Sequence, residues 1–354
     1  MSGMASAAAG STLLLHRERG WICGRRWDLT LIIGSAILVP LPLVFASFLQ
    51  STGWLTQEQA VDAINIVVAA LIGGPHLFST VTFTFLNRSF LKQRPLYAAG
   101  SLALPIVVIY LGIYHYALLI NFFFAWASLH VLHQILYLSD CYRAQAQSPD
   151  PGWSRAIDYG LVLTGLYPIG LYKMAQGQFH VGGVVLPYPD RLRVLHLPLV
   201  MGAIFGLFLA AWIWKTVRER HEGRMSTPKT MLLGVTSVVS FFLPMGSNLD
   251  VLFQGYNTWH SFQYLFLLWF INRIRYERGE IDSRLVRYLM RKQSMWPYYL
   301  SLLAATGMLV ILTLIVRALT PLTPDQSYFI VVLSILLMHY YFDHFLFTRT
   351  EWLR

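Results

Sequence analysis

The hydrophobic positions of this chain fall into long runs that are separated by short polar connectors. An apolar run of about 18 or more residues predicts a membrane-spanning α-helix, because a chain inside lipid must pair every backbone N–H and C=O group within itself. The pattern predicts ten such helices, and the fold class is therefore all-α, a polytopic membrane protein. The ten runs cover approximately residues 29–49, 58–87, 95–114, 117–141, 156–175, 195–214, 230–247, 250–272, 296–316 and 326–348.

The composition excludes several other classes of protein. Of the 354 residues, 56% are hydrophobic and only 12% are charged, whereas a soluble domain carries about 25% charged residues. So few charges do not cover the surface of a water-soluble enzyme of this size. The two cysteines, Cys23 and Cys141, form neither a CxxC motif nor the framework of a small disulfide-rich domain.

The basic residues predict how the helices are oriented. With a cytoplasmic N-terminus, 23 of the 27 Lys and Arg residues, Lys215 and Lys229 among them, lie in cytoplasmic connectors, and 4 lie on the opposite side. This bias predicts that both termini are cytoplasmic, in an integral protein of the bacterial inner (cytoplasmic) membrane. Because topology explains the net charge of +10, no nucleic-acid partner is predicted.

The same pattern divides the chain into three parts. Residues 1–28 form a cytoplasmic N-terminal segment, 29–348 a single transmembrane domain, and 349–354 a cytoplasmic tail. Within the domain, residues 273–294 mix Arg and Glu with apolar positions, which predicts an amphipathic helix on the cytoplasmic face.

Five histidines lie at one depth inside four of the predicted helices. They are His76, His130, His133, His260 and His339. Each lies ten to thirteen residues before an arginine that marks the cytoplasmic end of its helix, which places the side chains about 15–20 Å inside that boundary. Because the four helices run in the same direction, the five imidazoles can converge on one point, and ionisable groups at bilayer depth mark functional sites.

The local spacing of these residues favours a metal site. His130 and His133 form an HxxH pair, and three residues along a helix place both rings on one face. Asp343 follows His339 by four residues, so that the carboxylate joins the same face as a ligand or a base. We therefore predict the five histidines as metal ligands and Asp343 as the catalytic carboxylate.

Three further side chains are predicted to surround the ligands and to fix their orientation: Gln134, Gln263 and His344. The segment Gly73–His76 adds a backbone feature at the same depth. Paired glycines and a proline loosen a helix and expose carbonyl groups, which is tolerated in a membrane only where protein or a cavity covers them.

Imidazole and carboxylate ligands suit iron, manganese, copper or zinc, and no thiolate lies at this level to hold an iron–sulfur cluster. We predict iron. Three other interpretations of the histidines stay open: a proton- or metal-coupled transporter, a b-type haem protein, and a structural factor whose polar core holds helices together. The chain shows no internal repeat of the kind that builds many transporters.

The segments Gly74–His76, His130–Gln134, Trp259–Gln263 and His339–Asp343 resemble the bacterial β-carotene dioxygenases of the Brp/Blh type. More broadly, they resemble membrane-bound, histidine-rich desaturases and hydroxylases. The resemblance implies non-haem iron, dioxygen and a lipid-soluble substrate such as a carotenoid, another isoprenoid or an acyl chain. Aromatic residues beside the histidines, Phe122–Phe124 for example, predict an apolar tunnel to the metal. Membrane lipids surround such a protein, and its basic cytoplasmic face predicts an acidic electron-donor protein.

Overall fold

The computed structural model describes residues 18–146, 151–181, 183–190, 192, 195–246 and 249–350. Most of these residues are helical. The helices are α1 (Arg25–Ser51), α2 (Gln57–Phe83), α3 (Arg88–Gln93), α4 (Pro95–Tyr114), α5 (Tyr116–Gln145), α6 (Gly152–Gly165), α7 (Tyr167–Ala175), α8 (Leu197–His221), α9 (Thr227–Met245), α10 (Leu249–Glu277), α11 (Arg284–Arg291), α12 (Trp296–Leu319) and α13 (Pro324–Leu346). Two short strands, β1 (His180–Val181) and β2 (Val184–Val185), pair in antiparallel fashion between α7 and α8.

Within the described residues, eight helices are long and apolar enough to cross a membrane: α1, α2, α4, α5, α8, α9, α12 and α13. The prediction of an all-α polytopic membrane protein is confirmed. The count of ten spans is higher than these eight. The predicted span 156–175 is two shorter helices, α6 and α7, which separate where Pro168 cannot donate a backbone hydrogen bond. The predicted span 250–272 lies in α10, whose polar side chains make it less apolar than the other long helices.

Helix α10 forms the centre of the molecule. It packs against α1, α2, α5 and α11, and residues 263–275 are all buried. By contrast, α8 and α12 are mostly exposed on their apolar surfaces, as expected for helices that face lipid. A helix that is buried on every side can carry polar residues at bilayer depth, provided that neighbouring helices supply their partners.

Helix α2 contains an irregular turn directly before His76. Residues Ala69–Gly73 are π-helical, and Pro75 cannot donate to the carbonyl of Leu71 four residues earlier. The hydroxyl of Tyr299 on α12 donates to this carbonyl instead, at 2.7 Å. Protein thus covers the exposed carbonyl, as the sequence pattern requires, and the turn fixes the start of the segment that carries His76.

A group of buried charges lies between α5, α6, α8 and α9. Asp158 accepts hydrogen bonds from Arg143 at 2.8 Å and from Lys215, and Lys229 lies 3.5 Å from it. Glu219 lies 3.7 Å from Lys215. The prediction that Lys215 and Lys229 lie in polar connectors is wrong, because both lie in helices and each is only 1% exposed. Their partner Asp158 lies in another helix, so sequence spacing does not reveal the pairing.

The predicted cytoplasmic segment 273–294 contains two helical parts. Helix α10 continues to Glu277, and after a turn the short helix α11 buries Val286, Leu289 and Met290 while its arginines point outward. Residues 1–17 and 351–354, which belong to the predicted terminal segments, lie outside the described residues. The side of the membrane on which each terminus lies stays a prediction.

Candidate metal centre

Four helices bring four of the predicted histidines together. His76 on α2 lies 4.4 Å from His339 on α13 and 4.8 Å from His260 on α10, measured between ring centroids. His130 on α5 lies 5.0 Å from His260 and 5.1 Å from His339. All four rings are buried. Imidazoles from segments far apart in the sequence therefore meet at one point inside the helical bundle.

Three of these histidines and one carboxylate form a group that could hold a metal ion. One ligand atom from each of His76, His130, His339 and Asp343 lies within 4.8 Å of the others. The Oδ2 atom of Asp343 lies 3.4 Å from Nε2 of His339 and 3.7 Å from Nε2 of His130. Ligand atoms around one ion lie about 3–4 Å apart when each metal bond is about 2 Å. The two distances from Oδ2 of Asp343 fall in this range, and the group as a whole could hold a metal ion.

The four ligand atoms share a further property. Nε2 of His76, His130 and His339 and Oδ2 of Asp343 are all buried without a hydrogen-bond partner. Most buried polar atoms in proteins are hydrogen-bonded, because burial without a partner is costly. A cation among these four atoms would satisfy all of them together.

A hydroxyl group fixes the orientation of the His76 ring. The Oγ atom of Ser261 on α10 lies 2.9 Å from Nδ1 of His76, and the Ser261 hydroxyl donates to Oδ1 of Asn257 at 3.2 Å. In the tautomer that carries its proton on Nδ1, His76 donates to Ser261, and the hydroxyl proton of Ser261 goes to Asn257. Nε2 then carries the lone pair, as a metal ligand must.

The hydroxyl group of Thr80 fixes the orientation of the His339 ring in the same way. Its Oγ1 atom lies 2.6 Å from Nδ1 of His339 and donates to Oδ1 of Asp343 at 3.2 Å. The hydroxyl of Tyr264 also donates to Oδ1 of Asp343 and lies 2.7 Å from Thr80. These bonds occupy one carboxylate oxygen and direct the other, Oδ2, toward the imidazoles.

The two predicted amides, Gln134 and Gln263, form hydrogen bonds with each other and with backbone carbonyl groups. Nε2 of Gln134 donates to Oε1 of Gln263 at 3.0 Å and to the carbonyl oxygen of His260 at 3.2 Å. Nε2 of Gln263 donates to the carbonyl oxygen of Ile32 at 2.5 Å. The pair therefore ties α5, α10 and α1 together behind the histidines, and these hydrogen bonds do not involve an imidazole nitrogen.

His260 stands beside the group of four. Both of its ring nitrogens are buried without a hydrogen-bond partner, and its ring faces those of His76 and His130 edge to face. It is not one of the four residues whose ligand atoms lie within 4.8 Å of one another.

The structure does not bring His133 and His344 into this group. Their rings lie 5.7 Å from each other, and Phe347 lies 5.3 Å from His133. His133 is three residues farther along α5 than His130, about 4.5 Å along the axis, so it reaches the next level of α13. The HxxH spacing gives a shared face, but it does not give a shared depth.

Sequence reasoning missed four residues that position the ligands: Thr80, Ser261, Tyr264 and Asn257. A signal was present, since Thr80 follows His76 by four residues and Tyr264 follows His260 by four residues. Residues at this spacing share a helix face. Hydroxyl groups are common in membrane helices as local backbone partners, so that the spacing alone does not identify them as ligand partners.

No protein-family model, curated protein or solved structure matches this chain.

Proposed function

We propose that this protein is a membrane-embedded, non-haem iron oxidoreductase that uses dioxygen to hydroxylate, desaturate or cleave a lipid-soluble molecule. The observation that supports the proposal is the set of four buried, unpaired ligand atoms from His76, His130, His339 and Asp343. Imidazole with carboxylate is a donor set that suits iron, and manganese, copper or zinc also accept it. The resemblance of the histidine segments to carotene dioxygenases, desaturases and hydroxylases supports oxygen chemistry.

Iron, when bound, supplies the site for dioxygen and for electron transfer. The protein contributes the geometry. Ser261 and Thr80 hold protons on Nδ1 of two ligands and leave Nε2 free to bind the cation. Tyr264 and Thr80 hold one oxygen of Asp343, so that the other faces the centre. The one carboxylate offsets part of the charge of a divalent cation, which lowers the cost of burying it.

Aromatic rings enclose the centre. Tyr340 stacks on His130 at 4.0 Å, and Tyr264 lies edge to face against His76 at 4.7 Å and against His339 at 5.2 Å. A site closed in this way keeps water away from reactive species and strengthens electrostatic interactions inside it. Oxidation of an unactivated carbon chain requires such protection.

A row of rings connects the centre with the surface. His344 is exposed and lies 5.7 Å from His133, which lies 5.3 Å from Phe347. Phe347 in turn lies 5.8 Å from His130. We propose this row as the entry for electrons.

Two basic side chains lie over the residue that follows His344 in the chain. The guanidinium groups of Arg94 and Arg349 both lie over the ring of Phe345, next to His344, at 4.1 and 4.5 Å from its centroid. This positive surface would attract an acidic electron-donor protein. Hydroxylation and desaturation consume dioxygen together with an external electron pair and two protons, whereas dioxygenase cleavage places both oxygen atoms in the product and requires no donor. A donor requirement therefore distinguishes these reactions.

Metal analysis of the detergent-purified protein tests the proposal. We expect about one or two equivalents of iron in the wild type, the range for a mononuclear or dinuclear site. His130→Ala should lose this iron. The matched control is His115→Ala, which removes an exposed histidine between α4 and α5 and should retain the metal. Dioxygen uptake with lipid-soluble substrates should follow the iron content.

Three results would contradict the proposal. If the wild-type protein contains no metal, or if His130→Ala retains its iron, the four residues do not form the proposed metal centre. A haem absorption spectrum would assign the histidines to a porphyrin. Ion or proton flux in proteoliposomes, without metal-dependent turnover of a lipid, would favour a transporter.

A further inference from the structure

An apolar cavity of about 320 Å³ lies between α5, α7 and α10. Its wall includes Ala127 of α5, Gly170 of α7, and Phe253 and Tyr256 of α10. Ligand sites in helical bundles lie between helices and typically measure about 300–1,000 Å³. The volume is thus at the lower end of the range, enough for a section of a long molecule.

The polar groups of this wall are already paired. The hydroxyls of Ser128 and Tyr167 lie 3.4 Å apart, and Ser128 also donates to the carbonyl of Ala125 at 2.9 Å. The hydroxyl of Tyr256 lies 3.0 Å from that of Ser240. The lining residues, all of which the structure describes, contain no buried side-chain polar atom without a partner. A charged or hydrogen-bonding ligand group would therefore find no unpaired buried polar side-chain atom in the wall, whereas a hydrocarbon requires none.

The cavity lies one helical turn from the metal centre. Tyr256 lines the cavity, and His260 follows it by four residues on the same face of α10. The His260 ring lies 4.8 Å from His76 and 5.0 Å from His130, two of the predicted ligands. His260 is thus one helical turn from the cavity wall and in contact with two of the four candidate ligands.

We propose that this cavity binds an uncharged hydrocarbon section of the substrate, an acyl or isoprenoid chain, and leads it past His260 to the metal centre. A polar end group of the substrate stays outside the cavity. The reaction at the chain rests on the proposed function, but binding of the chain does not, because no wall residue is one of the four candidate ligands.

Photolabelling of the full-length, detergent-purified protein tests this proposal. The probe is a long-chain alkane that carries a terminal diazirine, and mass spectrometry locates the labelled peptides. We expect adducts on the segments of α5 and α10 around Ala127 and Phe253, and we expect an excess of the unlabelled alkane to compete with them.

Two glycine substitutions provide a matched pair of variants. Gly170 lines the cavity, and Gly206 lines a second apolar groove between α7, α8 and α9. At both glycines no atom lies within 4 Å of the position of a Cβ. Gly170→Phe should reduce labelling of α5 and α10 about tenfold, because its ring replaces several methylene groups of the chain. Gly206→Phe should leave this labelling unchanged.

Iron content measured in the same samples separates the two proposals. Labelling that Gly170→Phe does not reduce, labelling mainly in the groove at Gly206, or adducts without competition would overturn the cavity proposal, whatever the iron content. If the cavity is labelled in a protein that never contains metal, this result would support the cavity proposal and contradict the proposed function.

Discussion

Small hydroxyl residues contact the Nδ1 atoms of two of the four imidazoles at the centre, His76 and His339. A histidine inside a membrane can carry its proton on either nitrogen, and only one choice produces a metal ligand on the inner side. Ser261 and Thr80 make that choice for His76 and His339 through their contacts with Nδ1. The chemistry of the site thus depends on neighbours that do not themselves bind the metal.

Thr80→Val tests this dependence. The variant keeps the shape of the side chain but removes its contacts with His339, Asp343 and Tyr264. We expect iron affinity to fall by about 10–100-fold, the usual effect of losing an outer partner of a ligand, and competition with a chelator measures it. Thr84→Val removes a hydroxyl that bonds only to a backbone carbonyl, and it should change the iron affinity little. Thr80→Ser keeps the hydroxyl group and should bind iron as tightly as the wild type.

His260→Ala tests the role of the fifth imidazole. Three imidazoles and a carboxylate already supply four donors, a complete set for many protein metal sites. We therefore expect the variant to retain iron, unlike His130→Ala, and to lose turnover because His260 lies on the path from the cavity. Loss of iron to the same extent in both variants would instead establish His260 as a ligand.

At the scale of elements, α10 contributes both hydrophobic core and chemistry. Its residues 263–275 are buried, and the same helix carries His260 and Ser261. Helix α2 supplies His76 directly after its π-helical turn, where Gly74 lies against α12. A Cβ on Gly74 would approach Cγ2 of Thr306 to 2.1 Å, so that glycine permits the close packing of the two helices.

Gly74→Ala should destabilise the protein by about 1–3 kcal/mol, the typical cost of overpacking a core, and the midpoint of thermal unfolding in detergent measures the loss. Combining Gly74→Ala with Thr306→Ala should recover part of the stability, because the second substitution removes Cγ2 of Thr306, the atom that the new Cβ would approach most closely. Gly307→Ala, at a position where no atom lies within 4 Å of a Cβ, serves as the control. Equal effects of the two glycine variants would contradict the packing explanation.

The elements and their depth follow largely from the sequence, whereas the partners across helices do not. Apolar runs predict the long helices, and counting residues back from arginines places His76, His130, His260 and His339 at one level, where the structure brings them together. The same count includes His133, which reaches a different level of α13. The sequence pattern gives the position of a residue along its helix. It does not give the rotation of each helix about its own axis, which brings Thr80 next to His339 and Ser261 next to His76.

At the scale of the whole molecule, two groups of buried ionisable side chains among the described residues have no member in common. One is the candidate metal centre, and the other is the charge group around Asp158 between α5, α6, α8 and α9. Asp158 is fully buried and compensates three basic side chains. Removing one member of a buried ionic group leaves the charges of the others unpaired. The resulting loss of stability is larger than the net stabilisation that the intact group provides.

Asp158→Asn should therefore destabilise the protein by about 3–5 kcal/mol, measured by thermal unfolding in detergent. The control is Glu222→Gln, because Glu222 pairs with the exposed Arg218, and such a surface pair contributes only about 0–1 kcal/mol. At temperatures where both variants are folded, their iron content per chain should match the wild type, because the two centres share no residue. Selective loss of iron in Asp158→Asn would show that the centres are coupled.

The order of the ligands along the chain has a consequence for biogenesis. His76 lies in the second long helix, and His339 and Asp343 lie in the last one. A ribosome releases the chain from its N-terminus, so early helices enter the bilayer long before the final donors exist. The candidate centre is complete only once α13 has been synthesised, and chains truncated before α13 would lack two of the four candidate ligands.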